Sequence, residues 1–304
     1  GGIHLVDTRH MGYAGTIGSF LLPGPGGSFA LVESGPGSTL RELEQGIRAA
    51  GFDPAALEDV LLTHIHLDHA GAAGALARRH GARVHVHENG APHLADPGRL
   101  LASAARIYGE RMDELWGRME PVPAPQLHAI VEGDRFQAAG HGVRVLYTPG
   151  HASHHVSYLL EDGTLFTGDA AAIKLTGSSV IRPALPPPEV DLERWDESLA
   201  RMRHAQPSRL LLTHFGEVAD ADSHLGSVSE RNRVWAEEIL AGLRAGEEGE
   251  GLVRRIARLG DSELAADGAP PEVVARHQVT SNYQMTVMGV RRYWRKLHPE
   301  RLDA

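Results

Sequence analysis

The chain has 304 residues, 42% of them hydrophobic, a formal charge of −9 at pH 7 and no cysteine. That length supports one large core, or a core plus a smaller domain, and no apolar run is long enough to cross a bilayer. Without cysteine there is no disulfide, thiolate ligand or thiol nucleophile, and no signal-peptide pattern opens the chain. We therefore expect a cytoplasmic protein. The acidic balance argues against nucleic acid as a partner. A small-molecule substrate is expected instead, with no membrane, and a homo-oligomer stays open.

Ser19 to Glu33 predicts a β-hairpin around the turn Pro23 to Gly27. Thr39 to Ala50 predicts a helix with Leu40, Leu43 and Ile47 on one stripe. Val60 to Thr63 predicts a strand, and the stretch His64-Ile65-His66-Leu67-Asp68-His69 follows it directly. Strand side chains alternate between faces, so His64 and His66 leave the strand end on the same side. Asp68 and His69 fall where the chain turns toward a small-residue helix, Ala70 to His80. With 19 histidines in the chain an isolated pair means little. The packed pattern is different, and it suits two adjacent cations, His64 and His66 serving one, Asp68 and His69 the other.

Arg83 to His87 predicts a further strand, and residues 93–126 an irregular, partly helical insertion that ends in a proline-rich run. The strand-rich pattern returns from Phe136 to Phe166. A proline run, Pro183 to Pro188, precedes a helix from Leu192 to His204 with Leu192, Trp195, Leu199 and Met202 on one face. From residue 225 onward the pattern is helical, with breaks at 246–251 and 268–271. Tyr283, Met285, Met288, Tyr293 and Trp294 form a near-helical stripe there, which reads as core or dimer contact.

Three other segments share a local grammar with the first motif: an apolar strand, a threonine, then a donor. They are Val145 to Thr148 leading through Pro149-Gly150 to His151, Leu165 to Gly168 leading to Asp169, and Leu210 to Thr213 leading to His214. Strands that end at one rim of a sheet deliver their terminal loops to a common site. With these motifs in this order, residues 14–220 resemble the metallo-β-lactamase-fold superfamily of metallohydrolases, in particular its glyoxalase II-like branch.

The resemblance implies an α/β fold, an αββα four-layer sandwich over residues 1–224, followed by a helical C-terminal region over 225–304. It implies that His64, His66 and His151 hold one metal, that Asp68, His69 and His214 hold a second, and that Asp169 and a water or hydroxide bridge them. Asp68 takes a second role, orienting the attacking hydroxide and accepting its proton. His155 is implied as a residue that hydrogen-bonds a ligand.

Nitrogen and oxygen donors without thiolate suit two divalent ions, Zn(II) first, with Fe or Mn as alternatives. Two cations sharing a water acidify it toward neutrality. The expected function is hydrolysis of a small ester, thioester or lactone. The alternatives are a mononuclear iron persulfide-type dioxygenase, or a phosphodiesterase or nuclease of the same fold. Arg106 and Tyr108 in the insertion, and Lys174 after Asp169, are the candidates for contacting substrate.

Overall fold

The computed structural model describes residues 2–302. Its first sheet holds β1 (His4–Asp7), β2 (Gly18–Pro23), β3 (Phe29–Val32), β4 (Leu57–Leu61), β5 (Arg83–His87) and β6 (Leu127–Ile130), side by side in chain order. β1 to β3 pair antiparallel, and β3 to β6 run parallel. Parallel neighbours need crossovers. These are α1 (Leu40–Ala49), then α2 (Leu67–Ala70) with α3 (Ala73–His80), then α4 (Ala91–Ala95), α5 (Gly98–Tyr108) and α6 (Met112–Trp116).

The second sheet holds β7 (Arg135–Ala138), β8 (His141–Tyr147), β9 (Val156–Leu160), β10 (Thr164–Phe166), β11 (Arg209–Leu212) and β12 (Gly216–Val218), again in order. Only β10 and β11 pair parallel, with α7 (Leu192–His204) in the crossover. Four helices follow: α8 (Ala221–Arg244), α9 (Glu250–Ala266), α10 (Pro271–Thr280) and α11 (Tyr283–Leu297).

Strand alternation sorts the apolar side chains into three cores. Phe20, Leu22, Val32 and Leu61 meet Val143, Val145, Tyr158 and Phe166 between the sheets. Leu21, Leu31, Val60 and Val84 face the other way, onto Leu43, Ile47 and Leu76 of α1 and α3. Leu165, Leu210 and Leu212 pack on Trp195 and Leu199 of α7, and the same core runs on through Leu225 and Trp235 of α8 to Trp294 of α11. The architecture is thus an αββα sandwich with a helical extension, and the extension shares its core with the second sheet. α8 begins at Ala221, slightly ahead of the expected boundary. β1 has no counterpart in the sequence reading; two of its four residues are exposed, so it carries no apolar alternation.

The sheets are pinned together at the rim where β4 and β11 end. Val156 N–H donates to Thr63 O (2.8 Å), and Gly18 N–H donates to Thr213 O (2.9 Å). Farther down, the fully buried Asp59 of β4 accepts both Nε and Nη2 of Arg83 (2.8 Å each), Nε2 of His85 (2.8 Å) and the amide of Ala139 beside β7 (3.3 Å). Burial alone would raise the Asp59 carboxyl, but His85 and Arg83 outweigh it and hold it below the ordinary carboxylate value.

Asp59→Ala should therefore cost about 2 kcal/mol in urea unfolding, less than for a fully buried ion pair because Arg83 reaches solvent. The lowered carboxyl contributes stability that is complete above the unfolded-state value. That contribution is lost as pH falls through the folded-state value, so wild type and variant should converge in strong acid.

Candidate metal centre

The rim gathers all four strand-end motifs. Nε2 of His64 and Nε2 of His151 lie 3.0 and 2.9 Å from Nδ1 of His66. Nε2 of His69 and Nε2 of His214 lie 3.7 and 3.5 Å from Oδ2 of Asp68. Asp169 stands between these groups. Its Oδ1 is 3.3 Å from His69 and 3.4 Å from His214, and its Oδ2 is 3.4 Å from His151. Within each of the triads His64/His66/His151 and Asp68/His69/His214 the ligand atoms lie within 4.8 Å of one another.

The outward ring nitrogens decide what the inward ones can do. His151 Nδ1 donates to Ala184 O (2.8 Å), His214 Nδ1 to Thr16 O (2.7 Å) and His69 Nδ1 to Glu33 Oε1 (3.0 Å). Thr63 gives its hydroxyl proton to Glu33 Oε1 (2.5 Å), so His64 Nδ1 donates to the Thr63 oxygen (3.1 Å). With their protons fixed outside, Nε2 of His64 and of His151 turn bare lone pairs toward His66. Nδ1 of His66 offers at most one proton between them, so the three nitrogens cannot all be satisfied by one another, whereas a cation among them would satisfy all three. In addition, His69 Nε2 and Asp169 Oδ1 are buried with no hydrogen-bond partner. The donor set therefore fits divalent metal ions, with imidazole nitrogen and carboxylate oxygen as ligands.

The electrostatics divide the centre. Burial, reinforced by the neighbouring imidazoles, holds His64 well below its ordinary value, and His66 at about 3. Burial lowers His151 as well. On the other side burial would lower His69, but Asp169, Asp68 and Glu33 outweigh it and hold it well above its ordinary value. His214 is raised too, Asp169 and Asp68 overcoming burial. Burial would raise Asp68 and Asp169, yet the surrounding imidazoles hold both carboxyls low.

Glu33 is the functional residue the sequence reading missed. It is fully buried and accepts from Thr63 N–H (3.3 Å) and Thr213 Oγ1 (3.3 Å) as well as from Thr63 Oγ1 and His69. Its carboxylate also falls within 4.8 Å of donor atoms of His64 and His69, but it is already engaged by these four donors, an arrangement suited to orienting His69 and, through Thr63, His64. A signal for it exists in Leu31-Val32-Glu33, an apolar strand ending in a donor, though without the intervening threonine.

His155 is buried between Thr148 Oγ1 (2.9 Å from Nδ1) and the backbone of Asp169, whose N–H donates to its Nε2 (3.2 Å). His154, unassigned from sequence, is also buried, its ring 5.7 Å from that of His66. Gly150 explains the Pro-Gly-His spacing. Its φ is +129°, and a Cβ there would lie 2.5 Å from the Trp195 backbone.

A cavity of about 620 Å³ opens onto His66, Asp68, His151, Asp169 and His214. Tyr108 lines it, but Arg106 and Lys174 do not. From α5 onward the cavity-facing positions are Leu100, Ser103, Ala104, Ile107, Tyr108 and Arg111, a run spaced by threes and fours that leaves residue 106 on the far face. Arg106 is exposed and donates to Ser103 Oγ (3.3 Å). Ile173 lines the cavity and its neighbour Lys174 does not; the Lys174 main chain bridges the end of β11, its N–H on His214 O (2.6 Å). Of the tail stripe read from sequence as core or dimer contact, Met285 lines the cavity, beside Gln278 to Asn282, Gln284 and Thr286, while Tyr293 and Trp294 are core.

This fold and rim chemistry define a class of metallohydrolase, and the comparisons with known proteins agree. The chain belongs to the metallo-beta-lactamase superfamily, whose family model matches residues 16–214, and it is a metal-dependent hydrolase. It is 30% identical over 183 residues to a metallo-beta-lactamase fold-containing protein of Sulfurisphaera tokodaii, a stretch that covers 59% of this chain and 69% of that one. It is 34% identical over 147 residues to the atrochrysone carboxyl ACP thioesterase of Aspergillus fumigatus, covering 48% of this chain but 37% of that protein. The crystal structure of a metallo-beta-lactamase family protein from Thermus thermophilus shares the fold at 23% identity with a TM-score of 0.71, covering 97% of this chain and 94% of that one. Among the described residues no helix is long and apolar enough to cross a membrane.

Two outcomes test this geometry. Glu33→Gln should weaken metal binding by roughly 10- to 100-fold in chelator competition. Cations entering the His64/His66/His151 triad should displace few protons at neutral pH, because those imidazoles are held low. Cations entering the Asp68/His69/His214 side must displace protons from His69 and His214, so that affinity should keep rising with pH through and above neutrality. Calorimetry in buffers of different ionisation enthalpy would separate the two, and equal proton release at both would contradict it.

Proposed function

We propose that the chain is a dinuclear hydrolase acting on an ester, thioester or lactone. His64, His66 and His151 would hold one ion, Asp68, His69 and His214 the other, with Asp169 shared. The observation that carries this is the split of the Asp169 carboxylate, one oxygen toward His69 and His214 and the other toward His151. The complete second triad favours it over a mononuclear oxygenase. Zn(II) suits the nitrogen and oxygen donors, with Fe or Mn as alternatives. Bound divalent ions would supply Lewis acidity and acidify a water toward neutrality.

The chain's own residues do the rest. Asp68, whose side chain is 24% exposed toward the cavity, stays ionised and accepts the proton of the attacking water. Tyr108 is pushed up by burial and then by the charge of Asp68, so its hydroxyl stays protonated. Its place in the cavity lining supports a role as donor to a carbonyl oxygen as negative charge develops there. The thioesterase named among the relatives acts on an acyl carrier thioester by its name, and that supports an acyl substrate for this chain.

Elemental analysis of protein purified without added metal, with a panel of esters, thioesters and lactones, tests this reading. Two metals per chain are expected, with hydrolysis abolished by chelation and Asp169→Ala retaining one metal or fewer. A fully titrated wild type that holds a single metal would overturn it. Tyr108→Phe should lower kcat/KM by roughly 10- to 100-fold with metal content unchanged.

A further inference from the structure

We propose that the cavity beyond the metal centre is a gallery for a long, uncharged, apolar arm of the substrate, an inference that rests on the hydrolase reading above. Three observations carry it. The first is extent. At about 620 Å³ the cavity reaches from Asp68 and His214 past Leu100 and Ile107 of α5 to Val279 and Met285 of the tail. A short ester or an unsubstituted lactone leaves most of that space empty.

The second is an apolar face that protein covers only in part, Leu100, Leu101 and Tyr108 packing partly buried against the core under the first sheet. Of the eleven residues of α5 only Ala104 is buried, although its apolar and polar residues are segregated. Ile107 is 37% exposed and Tyr13 is 40% exposed, and both border the cavity. Large apolar side chains gathered at the mouth of a reactive centre mark a surface that an apolar ligand covers.

The third is charge. Beyond the metal-centre residues, Arg111 is the one permanently charged side chain among the described lining residues. It is engaged with Glu114 at 3.0 Å and mostly exposed. A carboxylate or phosphate on the arm would find no free cation inside and would lose its hydration. An anionic group on the substrate is accommodated only outside the mouth. The tail side adds neutral polar groups such as Gln278 and Gln284, which tolerate a hydroxyl or keto oxygen on the arm without requiring one.

The test uses the full chain loaded with Zn(II) and two ester series. One is p-nitrophenyl acetate, butanoate, hexanoate and octanoate; the other is methyl to octyl acetate. We expect kcat/KM to rise roughly two- to fourfold per methylene in at least one series, as buried CH₂ groups contribute to transition-state binding. Ile107→Glu and Met285→Glu should lower the octanoate-to-acetate ratio by roughly tenfold, whereas Ile107→Leu should keep it. Circular dichroism and metal content would confirm that each variant is folded and loaded.

Binding of the uncharged dye Nile red to the Zn(II)-loaded protein gives a readout independent of catalysis, and Ile107→Glu should weaken it. Hydrolysis with a flat chain-length profile in both series would overturn the gallery while leaving the hydrolase reading standing. Loaded protein that hydrolyses no ester in either series would count against the hydrolase reading. In that case the gallery stands on dye binding that Ile107→Glu weakens, and falls if the dye does not bind.

Discussion

The carboxylate of Glu33 is the constraint on which the metal centre depends. It is fully buried at the end of β3, in a left-handed backbone conformation (φ +66°) that a non-glycine residue adopts at a cost of about 1 kcal/mol. That turn aims the carboxylate across the rim, where it meets Thr63 after β4, Thr213 after β11 and His69 at the start of the second crossover. A buried carboxylate is tolerated only when its donors are in place. Strand ends from both sheets and one ligand imidazole are therefore held in register by a single group. Displacing any one of them would leave the charge under-solvated, and the rest of the rim would have to adjust.

The same hydrogen bonds set the protonation pattern. Each outward Nδ1 has an acceptor, whether a backbone oxygen, a threonine or Glu33; burial then leaves Nε2 of His64 and His151 bare, while the carboxylates around His69 and His214 favour a proton on theirs. One half thus gathers the ring nitrogens of His64 and His151 around His66, while in the other the carboxylates of Asp68, Asp169 and Glu33 surround His69. The asymmetry between an all-imidazole half and a carboxylate-rich half follows from where Asp68 sits, inside the first turn of α2 and not on a strand end.

Much of this was legible in the sequence, for identifiable reasons. Candidate metal donors are short polar interruptions of apolar strands, and His64, His66, Asp68, His69, His151, Asp169 and His214, which the fold brings to one rim, stand out against Val, Leu and Thr. The threonines themselves were noticed only as punctuation. The structure gives Thr63, Thr148 and Thr213 work as hydrogen-bond partners of Glu33, His64 and His155. α7 matches its predicted limits because Asp191 caps it and Leu192, Trp195, Leu199 and Met202 keep one face apolar. The strand-end signal at Glu33 was too weak to single it out, since one glutamate after a strand looks like any strand end until its partners, 30 and 180 residues away, are brought to it. The orientation of Arg106 failed for another reason. Helix existence can be read from pattern, but which face of a lid helix looks inward depends on its docking.

The walls of the cavity show why substrate choice is less legible than the reaction. They come from residues far apart in sequence: the turn at His10, the helices α5 and α6, the run from Pro183 to Pro188 and the tail from Gln278 to Thr286. What joins the last two is Arg182, whose side chain is fully buried. Its guanidinium donates to Tyr283 Oη and Gly260 O (3.0 Å each) and lies over the rings of Trp235 and Tyr283. An arginine next to a proline run carries no sequence signal of that kind, because its partners belong to α8, α9 and α11. Yet through it the segment that follows Asp169 takes its position from the helical tail. Changes in the tail can thus reshape the cavity without touching a ligand, so that one metal chemistry can be offered to different substrates on the same sandwich.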